Sequence, residues 1–354
     1  MNLRFDSYRY FPALRTRQAE IKGLEMLSPV RKDQILPLLT IGRWPKAVDF
    51  HRSLEKAEES MSGLPFIVDL TDDARHLPEQ HGALCDSSGY FRAWRDFVGQ
   101  SRQAIPVAHM IGRIRGRDVA QQARAIEAKA GKVAFRIRDF ERDIPLVIGA
   151  LSALDDVLNA IVFIDCRYIR PAFAAFNTAT IATIDRLRAE FPQLFIVTLG
   201  TSFPMSTLDF ADSSKTHGTI DIAERVLHSQ VGGDSVAGYG DYASIHSIIY
   251  DDAPVMKWVP RIDYPRELEW YFERRASDQL ANGYAECARA LLEVEPAIGS
   301  RDIWGEDMIR LAAAGTPHAK APASWISVRV NIHLSKQVDL SQDLAAINTA
   351  DGEE

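Results

Sequence analysis

Cysteine is scarce in this chain: three residues among 354, Cys85, Cys166 and Cys287, far apart and without a CxxC pair. So few, so spaced, exclude a disulfide framework and suit a reducing compartment. No run approaches the ~20 apolar residues of a membrane span. The opening MNLRFDSYRYFPALRTRQ is charged throughout and lacks the apolar centre of a signal peptide. A basic surplus is also missing: the net charge is −7, which does not favour nucleic acid as a partner, although a local basic patch is compatible with it. Absent too are the GxxxxGK[ST] phosphate loop, the HExxH zinc helix, the GxSxG nucleophile elbow and the Rossmann glycine fingerprint. The expectation is a soluble, cytoplasmic protein without membrane contact.

What the chain does have is ample apolar material, 46% of residues, enough for a sizeable core without metals or disulfides. It is laid out in a regular alternation. Short β-branched or aromatic runs cover 8–17, 35–43, 66–70, 105–111, 132–139, 160–169, 194–202 and 235–244, and longer segments of helical spacing follow them. Eight strands with crossovers match a (β/α)8 TIM-like barrel, and a doubly wound open sheet would give a similar alternation. The rhythm breaks after 245. Residues 245–275 read as a β-rich insertion of two or three short strands after strand 8, and 276–295 and 304–315 as additional C-terminal helices. In WISVRVNIHLSK (325–336) apolar and polar residues alternate with period two, which says strand, yet a barrel needs a last helix here. The element type stays open. The reading is one α/β domain over 1–340, with 341–354 a disordered tail.

In such a barrel, function sits at the C-terminal ends of the strands. Those positions are dense in charge: Arg15 and Arg17, Arg43, Asp69 followed by Asp72 and Asp73, His109, Arg136 and Arg138, Asp165 and Arg167, and Asp241 beside Tyr239. Residues two apart on a strand share a face, so such pairs would converge. Guanidinium forks suit phosphate or carboxylate, which makes Arg15, Arg17, Arg43, Arg136, Arg138, Arg167 and Tyr239 candidate ligand-binding residues. Asp69, His109, Asp165 and Asp241 are the candidates for acid/base or metal-assisted catalysis. The plainer reading is that the same charges satisfy one another at a partly buried rim. No metal-ligand set is evident, since His318 and His333 stand alone, and the sequence leaves any cofactor unknown. Cys166 beside Asp165 reads as packing more than as a nucleophile. The aromatic segment with Trp258, Arg261, Trp270 and Tyr271 is either a satellite core or a partner-binding surface.

The opening YFPALRTRQAEIKGLEML with ILPLLTIGRWP, the strand GYGDYASI, the stretch around Trp258 and Arg261, and the closing Trp325 to His333 segment resemble the beta family proteins. Arg15, Arg17 and Glu20 fall in the opening motif and Asp241 in GYGDY. The resemblance implies a protein of satellite prophages, encoded beside a toxic gene and associated with counteracting that toxicity and with defence against other phages. It brings no catalytic residues with it. The expected partners are a toxin or defence component, or a phosphorylated small molecule. A nucleotide or phosphodiester hydrolase and a nucleotide sensor without turnover are the alternatives.

Overall fold

The computed structural model describes residues 3–75, 77–112, 114–248 and 259–351, without the side chains of 348–351. It is a mixed α/β structure built on two four-stranded parallel sheets. In the first, β1 (Ala13–Arg15), β2 (Leu38–Ile41), β3 (Phe66–Leu70) and β4 (Ala104–Pro106) pair in that order. In the second, β5 (Val133–Ile137), β6 (Ala160–Tyr168) and β7 (Phe195–Thr201) pair in order and β7 pairs with β9 (Gly238–Asp241). The remaining β8 (His217–Asp221), β10 (Arg261–Pro265) and β11 (Glu269–Arg274) form a separate antiparallel sheet in the order β10-β11-β8. All eight sequence-read strands are thus present. The extra sheet is not confined to 245–275, because it takes β8 from the crossover between β7 and β9.

The helices fill the crossovers: α1 (Gln18–Glu25) and α2 (Pro29–Lys32) after β1, α3 (His51–Met61) after β2, and α4 (Pro78–Leu84) and α5 (Arg92–Val98) after β3. Then come α6 (Gly116–Ala130), α7 (Phe140–Leu151), α8 (Phe173–Glu190) and α9 (Ala223–Gln230), one each after β4, β5, β6 and β8. α6 stops at Gly131, whose φ of 74° is the left-handed conformation that ends helices cheaply at glycine. α7 starts where the Asp139 carboxylate accepts the Arg142 N–H at 3.0 Å. After the antiparallel sheet come α10 (Leu280–Val294), α11 (Trp304–Ala313) and α12 (Pro322–Asp351).

Strand parity sets the core. Ala13, Leu38, Ile67, Ile105, Ala134, Ile161, Val197 and Tyr242 belong to one apolar cluster shared by both parallel sheets. The intervening residues, such as Leu14, Leu39, Val68, Phe135 and Val162, face the helices. Gly240 sits on the shared face, where a Cβ would stand 2.7 Å from the Phe11 carbonyl oxygen. The bare backbone lets the segment before β1 lie against β9.

The ambiguous 325–336 stretch is helical, part of α12. Two stripes interleave along it. Val330, Leu334 and Val338 enter the core under β1–β3, while Trp325, Val328 and Ile332 enter the core made with α10, α11 and the antiparallel sheet. Two helical stripes offset by two residues produce an apparent period of two. The segment from 341 on, expected as a disordered tail, continues α12 to Asp351. It is tied down where Arg225 donates to the Ser341 hydroxyl at 2.9 Å. Among the described residues, no helix is long and apolar enough to cross a membrane.

Candidate site at the strand ends

The shared face of the strands ends in polar side chains. Following the parity of Ala13, Leu38, Ile67, Ala134 and Ile161 toward the C-terminal ends gives Arg15, Thr40, Asp69, Arg136 and Asp165. Arg136 is the hub and is buried. Its Nε donates to Asp165 at 2.9 Å, Nη1 to Asp69 at 2.9 Å and to Thr40 at 3.2 Å, and Nη2 to the Tyr242 hydroxyl at 3.0 Å. The Tyr242 hydroxyl lies 2.8 Å from both Asp165 carboxylate oxygens. Burial works against the Arg136 charge, but Asp165, Tyr242 and Asp69 outweigh it and hold the guanidinium protonated. Burial likewise opposes the Asp69 anion, and Arg138 and Arg136 still bring its pKa below the usual carboxylate value.

A second, half-buried layer lies above this one. Arg138 donates to Asp69 at 2.7 Å and to Asp72 at 2.8 Å, and Arg167 reaches Asp72 at 3.4 Å. Arg167 has a φ of 54°, next to a register irregularity between Asp165 and Tyr168 that aims it outward. Arg15 donates to the His246 carbonyl at 3.0 Å and to that of Ser247. Together these groups border a cavity of about 290 Å³, whose walls carry five arginines, Arg15, Arg75, Arg136, Arg138 and Arg167, against Asp72 and Asp73. A chain of negative net charge thus concentrates guanidinium groups at one mouth, the pattern that focuses anions.

Arg17 and Arg43 do not reach this cavity. They line an adjoining one of about 520 Å³ that shares Arg15, Thr40, Thr71 and Asp73 with the first. His109 lies behind Asp69, stacked on Trp94 with ring centroids 4.5 Å apart. Burial lowers its pKa to about 4 against the pull of Asp69, so it is neutral at pH 7.

Tyr239 and Asp241 require correction. Both lie on the opposite parity from Tyr242 and face the helices. Asp241 is wholly buried, taking hydrogen bonds from Tyr10, from Tyr239 at 2.7 Å, from the Ala243 N–H at 2.8 Å, and meeting His333 Nε2 at 2.8 Å. Burial alone would raise its pKa; His333 and the hydroxyls bring it to about 2. Tyr239 lies under the Arg225 guanidinium at 3.4 Å and stacks on Tyr10. This anchor joins β9 to α12 and does not touch either cavity.

The aromatic segment is a satellite core. Trp270 is fully buried, donating to the Ser244 hydroxyl at 2.8 Å, and Tyr271 is buried, so neither is a surface anchor. Arg261 is held by Asp263 at 2.8 Å and the Thr207 hydroxyl at 2.8 Å. Trp258 lies outside the described residues. Cys166 is buried against Thr180 at 3.2 Å, its thiol pushed up to about 12 by burial, as packing predicts.

Thr40, Asp72 and Tyr242 join the site without having been singled out as ligand residues. For Tyr242 a signal existed: in GYGDY the glycines mark the face pressed against Phe11, and Tyr242 shares their parity while Tyr239 does not. Among the described residues no group of three or more His, Cys, Asp or Glu is placed to hold a metal ion.

Residues 10–339 match the Beta protein family. The chain is 42% identical over 345 residues to Protein beta of Enterobacteria phage P4, covering 97% of each chain. The chain belongs to the Beta protein family.

Proposed function

We propose that this protein binds a phosphorylated small molecule at the arginine-lined mouth, and that it does so as part of a prophage-encoded defence or toxin-neutralising locus. The observation that carries the ligand reading is the position of Asp72. Its side chain is 62% exposed and bridges Arg138 and Arg167, standing where an incoming phosphate would accept the same hydrogen bonds. Arg136, Asp69 and Asp165 form the fixed platform beneath. Binding is favoured over hydrolysis because both buried carboxylates are already engaged by guanidinium donors, which leaves them poor bases and poor metal ligands. The phage origin of the relative and the family resemblance support the setting.

We also propose that the two parallel sheets close into one (β/α)8 barrel, which would gather all eight strand ends at this mouth. Two contacts support closure: the parallel bridge Val107↔Ala134 beside β4 and β5, and the Phe11 N–H donating to the Tyr239 carbonyl at 2.9 Å beside β9. In a closed barrel the amides of Ala108 and Phe11 exchange with deuterium as slowly as those of β6; fast exchange at either seam opens the sheet.

Calorimetric titration of the full chain with pyrophosphate tests the ligand reading. Wild type binds, and R138A and R167A each lose about tenfold or more, the loss expected of a charge-assisted contact. No heat with wild type, or unchanged affinity in both variants, overturns it. For the locus, the reading requires a toxic gene beside this chain; co-expression with it restores growth, R138A/R167A does not, and no rescue by wild type overturns the locus reading. Full rescue by the double variant would separate neutralisation from the mouth.

A further inference from the structure

The two adjoining cavities differ in chemistry. The smaller is walled by guanidinium and carboxylate groups. The larger lies between the start of α1, the turn after β2 and the first turns of α12, and Pro45, Ile245, Ala323 and Ile326 give it apolar walls. Polar groups sit at its edges. The Glu20 carboxylate is buried and accepts the Arg15 N–H at 2.7 Å. Arg329 is buried too, with Nη1 on Asp263 at 2.5 Å, and its Nε has no hydrogen-bond partner among the described residues. Arg17 and Arg43 bring guanidinium planes to the same walls, and such planes stack on aromatic rings.

A volume of about 520 Å³ is far more than a phosphate fills and lies in the range of roughly 300–1,000 Å³ that drug-sized ligands occupy. Apolar walls with a few polar edge groups suit a flat heterocycle. The shared boundary, Arg15, Thr40, Thr71 and Asp73, is where a sugar would cross from one chamber to the other.

We infer that the ligand is a nucleoside phosphate, its phosphates among Arg15, Arg138 and Arg167 and its base in the chamber lined by Ile326, Ala323 and Glu20. This rests on the anion-binding reading of the first chamber and adds the class of ligand. The base gains apolar contact that inorganic phosphates cannot make, so the second chamber supplies the discrimination.

The test is calorimetric titration of the full wild-type chain with pyrophosphate and with ADP, GDP, CDP and UDP. At least one nucleotide binds about tenfold or more tighter than pyrophosphate, the effect expected from burying a ring. A323W, which fills the second chamber from the exposed first turn of α12, brings that nucleotide to within about twofold of pyrophosphate, in a protein whose thermal midpoint shows it folded. Should all four nucleotides match pyrophosphate, the inference fails and the anion site stands. Should a folded A323W keep the nucleotide advantage, the base lies elsewhere and the placement fails. If neither pyrophosphate nor any nucleotide binds, both fall. The wild-type comparison decides the ligand class even where A323W does not fold.

Discussion

Arg138 donates to Asp72 at 2.8 Å across the mouth of the smaller cavity, one partner mostly sheltered and the other mostly in water. On the anion-binding reading proposed above, the carboxylate would hold the guanidinium in the place of a ligand and give way to a stronger anion. D72N removes the competing charge and leaves the arginines in place. Pyrophosphate affinity then rises by about three- to tenfold, less so at high salt, because exposed charges are screened. Weaker binding in D72N would mean that Asp72 positions Arg138 and Arg167 for the ligand instead of competing with it.

Arg136 answers to a different physics. Deleting its side chain leaves Asp69 and Asp165 buried and short of their counter-charge, a change that costs about 3–5 kcal/mol. R136A therefore lowers the urea midpoint strongly, whereas R138A, at the half-buried layer, lowers it much less. Equal midpoints for the two variants would remove the distinction between platform and mouth.

Glu224 predicts a pH dependence. Burial, with Asp241 adding to it, raises its carboxyl to about 8 against the hydrogen bonds from Ser202. An unfolded glutamate ionises near ~4.3. Between those values the folded chain holds a proton that the unfolded chain has released, so this group's contribution is most favourable below about 4.3 and declines as pH rises toward 8. E224Q is neutral throughout. Its stability relative to wild type rises between pH 5 and 7.5 by at most about 1.4 kcal/mol per unit. Parallel stability curves for the two proteins would contradict this.

Trp270 packs edge-on to Phe203 with ring centroids 5.2 Å apart and lies 20° from coplanar with His333 at 5.9 Å. W270A opens a cavity in the satellite core and costs about 3–5 kcal/mol. The readout is a lower melting midpoint with pyrophosphate affinity retained at temperatures where the variant is folded. An unchanged midpoint would mean that the ring is not the buried anchor it is here.

Much of the architecture was legible in residue order. Buried parallel strands such as FIVDL and AIVFID are apolar on both faces because one face meets the opposite sheet and the other meets helices. The clustering of Arg136, Arg138, Asp69 and Asp165 followed from strand parity. Parity also failed where it was not carried through: Tyr239 looked like a rim residue because it neighbours Asp241, yet both lie on the helix side. β8 escaped because His217–Asp221 is short and largely exposed, with little apolar pattern to announce it. α12 stayed ambiguous because an enclosed helix obeys two cores at once, and its polar residues face partners, such as Arg329 on Asp263, rather than solvent. A periodicity argument presumes one wet side, and this helix has none over most of its middle.

The bond between Asp241 and His333 joins residues 92 positions apart in sequence. Synthesis is vectorial, so β9 leaves the ribosome well before the imidazole that will meet its carboxylate. Until then, seating β9 beside Tyr10 means burying an anion without one of its four partners. The anchor of the last parallel strand is therefore complete only with α12 in place, and so is the larger chamber, one wall of which is that helix.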